Sequence, residues 1–180
     1  MGRILSAAAW SLALIVVAQP SPFTVRRGAV GSVAIGLSDQ AIIAMFPPDR
    51  RRGVDLQLEG LPTPALVLTL AGSKYRDGVI AELGRRDGRV EVSRILVKDP
   101  MARTAKGIAV GSTVSALRAA YRVAWIGVGE GRVFLRVEEL GASFELETPI
   151  APHEQLDLIT DPAKVPGGIK IVGILLTEAG

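Results

Sequence analysis

Cysteine is absent from the 180-residue sequence, and histidine occurs once, at His153. Disulfides, thiolate zinc sites, iron–sulfur clusters and cysteine nucleophiles all require a thiol, so the sequence excludes them. A serine hydrolase triad would have to recruit His153, yet the sequence contains no G-x-S-x-G motif. We interpret His153, in the proline-rich segment IAPHEQLD, as an exposed loop residue and a candidate contact for a partner.

An excess of charge of one sign is also missing. The sequence has 21 Lys and Arg against 18 Asp and Glu, a formal net charge of +3, which is too small to predict a nucleic-acid interface. The carboxylates are scattered without the spacing of a calcium loop, and GVGEGRV, residues 127–133, lacks the Lys-Ser/Thr of a phosphate loop. We therefore expect no metal, no cofactor and no catalytic motif, and we interpret GVGEGRV as a hairpin turn.

Aromatic residues make up 4% of the chain. Trp125, in YRVAWIGVG, has core burial as its default interpretation, but an exposed ring would make it the first candidate for partner binding. The densest basic run is DRRRG, which contains Arg50, Arg51 and Arg52. Such a run is usually a solvated turn, and its alternative role is contact with an anionic lipid or glycan.

The longest apolar run opens the chain. MGRILSAAAWSLALIVVAQ has one positive charge, at Arg3, an apolar segment from Ile4 to Ala18, and small or allowed residues at Val16 and Ala18. This layout is typical of a secretory signal peptide over residues 1–18, and the apolar segment is shorter than the roughly 20 residues of a membrane span. No cysteine follows for a lipid anchor, so we expect a periplasmic or extracellular protein with no stable membrane span after cleavage.

Two stretches of the remaining chain are similar in sequence. SVAIGLSDQAIIAMFP, from residue 32, and GIAVGSTVSALRAAYR, from residue 107, align when Gly36 is placed on Gly111. Each predicts a glycine turn, a Ser38 or Thr113 helix cap, and a short amphipathic helix that buries one face. The residues predicted on those buried faces are Ile42, Phe46, Leu117 and Tyr121.

Strand patterns follow each predicted helix. GVDLQLEG and PALVLTLAG predict neighbouring antiparallel strands whose leucines share one buried face, and DGVIAELGRRDGRVEVSRILVKD predicts a hairpin with Asp87-Gly88 in its turn. VAWIGVGEGRVFLRVEELGASFELE predicts three short strands. The closing segment GIKIVGILLTE repeats RVEVSRILVKD, with Ile95 matching Ile174 and Leu96 matching Leu175.

These patterns predict an α+β protein of two tandem units, residues 24–98 and 99–180. Each unit would be a short helix packed on an antiparallel sheet of about three to four strands, with the two sheets sharing a core or forming one continuous sheet.

A tandem repeat in which G-x-S/T opens a short helix packed on a sheet resembles the beta-lactamase inhibitor protein family. The single unit is similar to the small outer-membrane assembly lipoproteins, and DPMARTAKGIAVGSTVSALRAAYR is similar to a segment of uncharacterised exported bacterial proteins. The matching residues are caps and core positions, so the resemblance implies a fold and not an activity. This chain lacks the disulfides and aromatic-rich binding face of the first family and the lipidated cysteine of the second.

The leading functional hypothesis is an exported, non-enzymatic binding protein that presents a sheet face or a groove to a protein or envelope component. One alternative is a small hydrolase with two carboxylates converging in a cleft between the units. The other is a carrier that holds an apolar small molecule between helix and sheet.

The signal-peptide interpretation is tested by expressing the full chain in a bacterium with an active secretory pathway. We expect export and cleavage after Ala18, so that N-terminal sequencing of the exported product starts at Gln19. Ala18→Tyr should leave the uncleaved form, because the cleavage site requires a small residue. An exported wild-type product that retains residues 1–18 would contradict the prediction.

Overall fold

The computed structural model describes residues 21–58, 60–129, 131–147 and 160–178. Within these ranges the chain forms twelve strands and two α-helices of seven residues each. In chain order they are β1 (Thr24–Arg26), β2 (Ala29–Val30), β3 (Val33–Ala34), α1 (Asp39–Met45), β4 (Arg51–Leu58), β5 (Leu61–Leu68), β6 (Val79–Arg86), β7 (Arg89–Val97), β8 (Arg103–Thr104), α2 (Val114–Ala120), β9 (Trp125–Gly129), β10 (Arg132–Val137), β11 (Ala142–Leu146) and β12 (Ile171–Leu176). Neither helix is long and apolar enough to cross a bilayer.

The predicted α+β class is wrong, because the protein is mostly β. Strands make up 47% of the described residues. Eight of them form one antiparallel sheet in the order β4-β5-β6-β7-β12-β11-β10-β9, and the other four form a small sheet in the order β3-β2-β1-β8. The two α-helices have only seven residues each, so strands dominate the fold, and the two predicted sheets are joined at one edge into a single continuous sheet.

The join is the pairing of β7 with β12. These are the two segments that align in sequence, and Leu96 lies directly opposite its counterpart Leu175. The flanking pairs are Ile95 with Leu176 and Val97 with Ile174. The sheet therefore continues in the same way on each side of this junction, with two further strands and then an edge strand. These are β6, β5 and β4 on one side and β11, β10 and β9 on the other.

The two helices begin as the sequence predicts. The Ser38 Oγ accepts a hydrogen bond from the Ala41 N–H at 3.1 Å, and the Thr113 Oγ1 accepts one from the Ala116 N–H at 3.2 Å. Gly36 precedes the first cap with φ of 84°. The predicted caps and the predicted glycine turn are thus confirmed, because both depend on residues close together in the chain.

The turns before the helices also dock on matching strands. The Gly36 N–H donates to the Val92 carbonyl at 2.8 Å, and the Gly111 N–H donates to the Ile171 carbonyl at the same distance. In return, the Val92 N–H donates to the Leu37 carbonyl at 2.8 Å. Each helix is therefore held against the closing strand of its own half of the sheet.

One face of the large sheet packs on both helices and on the small sheet to form a single core. Its largest fully buried side chains include Phe144, Ile42, Leu68, Ile95, Leu117, Leu135 and Ile174. On β7, Val92 and Ile95 are both buried although they are three residues apart. The pairing with β6 shifts by one residue between them, because Glu82 lies opposite Arg94 and the next residue, Leu83, lies opposite Val92. This β-bulge places both apolar residues on the core side. An equivalent register shift occurs on β12, between Gly173 and Ile171.

The predicted shared face of β4 and β5 is wrong. Leu66 and Leu68 of β5 are buried in the core. Leu56 of β4 lies opposite Thr63, whereas Leu66 lies opposite Gly53, so the β4 leucines are on the other side of the sheet. Apolar and polar residues alternate along both strands as predicted. Alternation alone does not specify which residues of two neighbouring strands lie on the same side of the sheet, because that depends on their pairing register.

The core assignment predicts a large difference between two leucine truncations. Leu117→Ala removes a fully buried α2 side chain and should lower the free energy of unfolding by about 2–5 kcal/mol. Leu61→Ala, at a position that is 68% exposed, is the matched control and should change it by about 0.5 kcal/mol or less. Urea denaturation of both variants measures the difference, and similar losses would contradict the assignment.

Candidate functional site

The face of the large sheet that points away from the helices carries a groove of about 480 Å³. Its apolar lining residues are Leu56, Leu58, Ile80, Leu96, Phe134 and Leu175, and its charged lining residues are Glu82, Arg94, Lys98, Arg132 and Glu145. Strand β4 at one edge of the sheet and strands β9 and β10 at the other edge line the same cavity. The sheet therefore curves toward this face, with the β7–β12 junction in the middle.

The first buried charge in the groove is Glu82, on β6. Its side chain is 6% exposed, and its Oε2 lies 2.5 Å from the Nε of Arg94, the residue directly opposite on β7. The Arg94 side chain is 41% exposed. The carboxylate is therefore compensated within its own half of the sheet, while its cation reaches toward solvent.

The second buried charge is Glu145, on β11. Its side chain is 9% exposed, its Oε2 lies 2.8 Å from the Lys98 Nζ, and its Oε1 lies 3.7 Å from an Arg132 Nη1. Gly173, directly opposite on β12, leaves the space for this bridge. A Cβ at that position would lie 2.7 Å from the Glu145 Oε2 and 3.1 Å from the Lys98 Nζ.

The two carboxylates occupy matching positions but have different partners. Glu82 pairs across strands with Arg94, next to Ile95, and Glu145 pairs with Gly173, next to Ile174. Because Gly173 offers no cation, Glu145 is compensated by Lys98 from across the β7–β12 junction and by Arg132 from β10. The two halves of the groove therefore differ in charge arrangement.

Trp125 lies on the outermost strand β9 and is 46% exposed, so its default interpretation as a core residue is wrong. Its cross-strand partner is Arg136, which is 8% exposed and donates from Nη1 to the Thr177 Oγ1 at 2.9 Å. The indole covers Gly127, where a Cβ would fall 2.1 Å from the ring. Trp125 and Gly129 are four residues apart on β9, so they lie on the same strand face. Because Gly129 lines the groove, Trp125 lies on the groove side of β9.

Only the first part of the basic run DRRRG is a turn, and the rest belongs to a strand. Arg50 ends a 3₁₀ turn, and Arg51 and Arg52 begin β4. Arg51 donates to the Ile43 carbonyl at 3.1 Å and to the Phe46 carbonyl, so it satisfies the C-terminal end of α1. Arg52 forms an exposed ion pair with Asp77 at 2.8 Å.

The sequence candidates are not assembled into one site. Arg50, Arg51 and Arg52 line a separate polar cavity of about 220 Å³ beside the groove, and none of the three is among the described groove-lining residues. His153 falls outside the described residues. The groove charges were missed, although Glu82 and Glu145 carry a signal: each is a lone carboxylate between apolar neighbours in a predicted strand.

The groove carboxylates are arranged as ion pairs. Each is already engaged by at least one cation within 2.8 Å. Over the described residues, no three Asp, Glu or His side chains converge as they would in a metal site. This arrangement is suited to holding charge in place on a binding surface.

No protein-family model matches the sequence, and no curated protein is significantly similar to it. Among solved structures, the chain is similar to the crystal structure of the uncharacterized protein YfeY from Escherichia coli. The TM-score is 0.58 at 16% sequence identity, and the match covers 88% of this chain and 100% of YfeY. At that identity the likeness shows a shared fold alone.

The Glu145 bridge predicts a stability loss on neutralisation. Glu145→Gln leaves Lys98 without its carboxylate in a partly buried position, and we expect the free energy of unfolding to fall by about 1–3 kcal/mol. Glu147→Gln, an exposed position two residues further along, is the matched control and should be close to neutral. Urea denaturation distinguishes the two, and a neutral Glu145→Gln would contradict a structural role for the bridge.

Proposed function

We propose that this chain is an exported, non-enzymatic binding protein of the cell envelope that holds its partner in the groove. One observation carries the proposal: large apolar side chains from both edges of the sheet line the face that points away from the core. In an antiparallel sheet with one buried face, the opposite face is normally polar. Apolar residues in a concave, open position favour contact with another molecule.

The paired carboxylates favour binding over hydrolysis. A glycosidase-like mechanism needs one carboxyl group that acts as an acid and a second that acts as a base or nucleophile. In the groove, Glu82 and Glu145 are each bonded to a cation. Both carboxylates are therefore already engaged in ion pairs, and neither is left free to act on a substrate, which supports the non-enzymatic hypothesis.

The volume of the groove favours a small ligand as the partner. Ligand pockets usually enclose about 300–1,000 Å³, and about 480 Å³ falls within that range. The carrier hypothesis located such a cavity between helix and sheet. The groove is instead on the sheet face away from the helices, so a carried ligand would rest on strands alone.

The location of binding is tested by a photoreactive amino acid placed at one of two adjacent positions. Position 56 lies in the groove, and position 57 is exposed on the other face of the same strand. After irradiation of cells that export each variant, mass spectrometry of the purified protein should find one recurring adduct, protein or small molecule, at position 56 only.

Two results would overturn this proposal. The first is the same set of adducts at both positions, or none at position 56, because the groove would then hold no partner. The second is hydrolase turnover by the wild-type chain that is abolished by Glu145→Gln at a temperature where the variant remains folded, because the groove would then be catalytic.

A further inference from the structure

We infer that the groove binds a single-chain anionic amphiphile, with its head group at Arg132 and its apolar chain on the leucine-lined floor. This inference rests on the proposed function, since it names the chemical class of the partner in the same groove. A carboxylate and a phosphate head group share the required chemistry, so a fatty acid and a lysophospholipid are its two possible sources.

The charge that the groove presents to a ligand is positive. It is lined by three cations, Arg94, Lys98 and Arg132, and by two carboxylates, Glu82 and Glu145. The carboxylate side chains are 6% and 9% exposed, whereas the three cations are 41%, 33% and 47% exposed. A ligand therefore contacts the cations before the carboxylates. Three cations and two carboxylates give the groove lining one net positive charge.

Arg132 is the cation available to a head group. Glu145 is already bridged by Lys98 at 2.8 Å, so the Arg132 contact at 3.7 Å is the looser of the two. Arg132 lies directly opposite Gly129, which has no side chain to occupy the adjoining space. Its guanidinium can pair with two oxygens of a carboxylate or a phosphate, a geometry that suits both head groups.

The apolar floor provides the site for a chain. Leu96 and Leu175 meet at the centre of the groove, and Leu56, Leu58, Ile80 and Phe134 surround them. Covering partly exposed side chains of this kind is favourable in proportion to the apolar area removed from water. A cationic ligand would be repelled by the exposed positive charges, and an uncharged one would form no ion pair with the exposed Arg132 guanidinium, so an anionic amphiphile fits best.

The test is calorimetric titration of the purified exported chain with palmitate, with 1-palmitoyl lysophosphatidic acid and with uncharged monopalmitoylglycerol, each below its micellar concentration. We expect at least one anionic amphiphile to bind with 1:1 stoichiometry, and the uncharged compound to bind at least tenfold more weakly. Comparison of the two anionic compounds distinguishes the carboxylate source from the phosphate source.

Two pairs of variants locate the site. Arg132→Gln should weaken anionic binding about tenfold, whereas Arg85→Gln, at an exposed position outside the groove lining, should leave it unchanged.

Gly129→Phe should block the groove, because a Cβ there meets no atom within 4 Å and the ring would extend into the cavity. Gly53→Phe, which is equally open but faces the other way on β4, is its control. Urea denaturation confirms that each variant is folded.

Failure of this inference differs from failure of the proposed function. If neither anionic amphiphile binds, or if Arg132→Gln and Gly129→Phe both bind like wild type, the ligand class is wrong. If position 56 still forms a recurring adduct with a protein, the groove binds a partner of another class and the proposed function survives. Absence of both amphiphile binding and adducts overturns both.

Discussion

The pairing of β7 with β12 is the interaction on which the rest of the structure depends. Without it, each half of the chain would be a four-stranded sheet with an exposed edge and one short helix, too small to bury much of its surface. Joining the edges at Leu96 and Leu175 produces one eight-stranded sheet and one continuous core. It also brings both edges of the sheet around the same concave face, so that residues from each edge line one groove.

The groove follows from that junction. Curvature brings β4 and β10 around the central leucine pair, and the matching positions of Glu82 and Glu145 put two buried carboxylates on one surface. Arg94 and Gly173 are the residues that make the halves unequal. Because Gly173 supplies no cation, Lys98 reaches across the junction, and Arg132 is left only loosely engaged.

Features that depend on near neighbours in the chain were predictable. The caps Ser38 and Thr113 bond to N–H groups three residues away, and Asp87-Gly88 turns a two-residue hairpin with both φ values positive. The fold class and the groove were not predictable, because each depends on which strand edges meet. The leucines of β4 show this: their alternation was evident, but the pairing of Leu56 with Thr63 put them on the groove side and not in the core.

The sequence by itself determined the helix starts, the hairpins, the absence of thiol chemistry and the repeated Gly-x-Ser/Thr pattern, since these follow from local hydrogen bonding, backbone freedom and composition. Only the tertiary structure decided that the two closing strands pair, that Trp125 is exposed and that isolated charges such as Glu145 and Lys98, 47 residues apart, form a bridge. Contacts between distant residues depend on how neighbouring strands pair. The two-residue alternation of a strand does not specify that pairing register, so the sequence pattern leaves it undetermined.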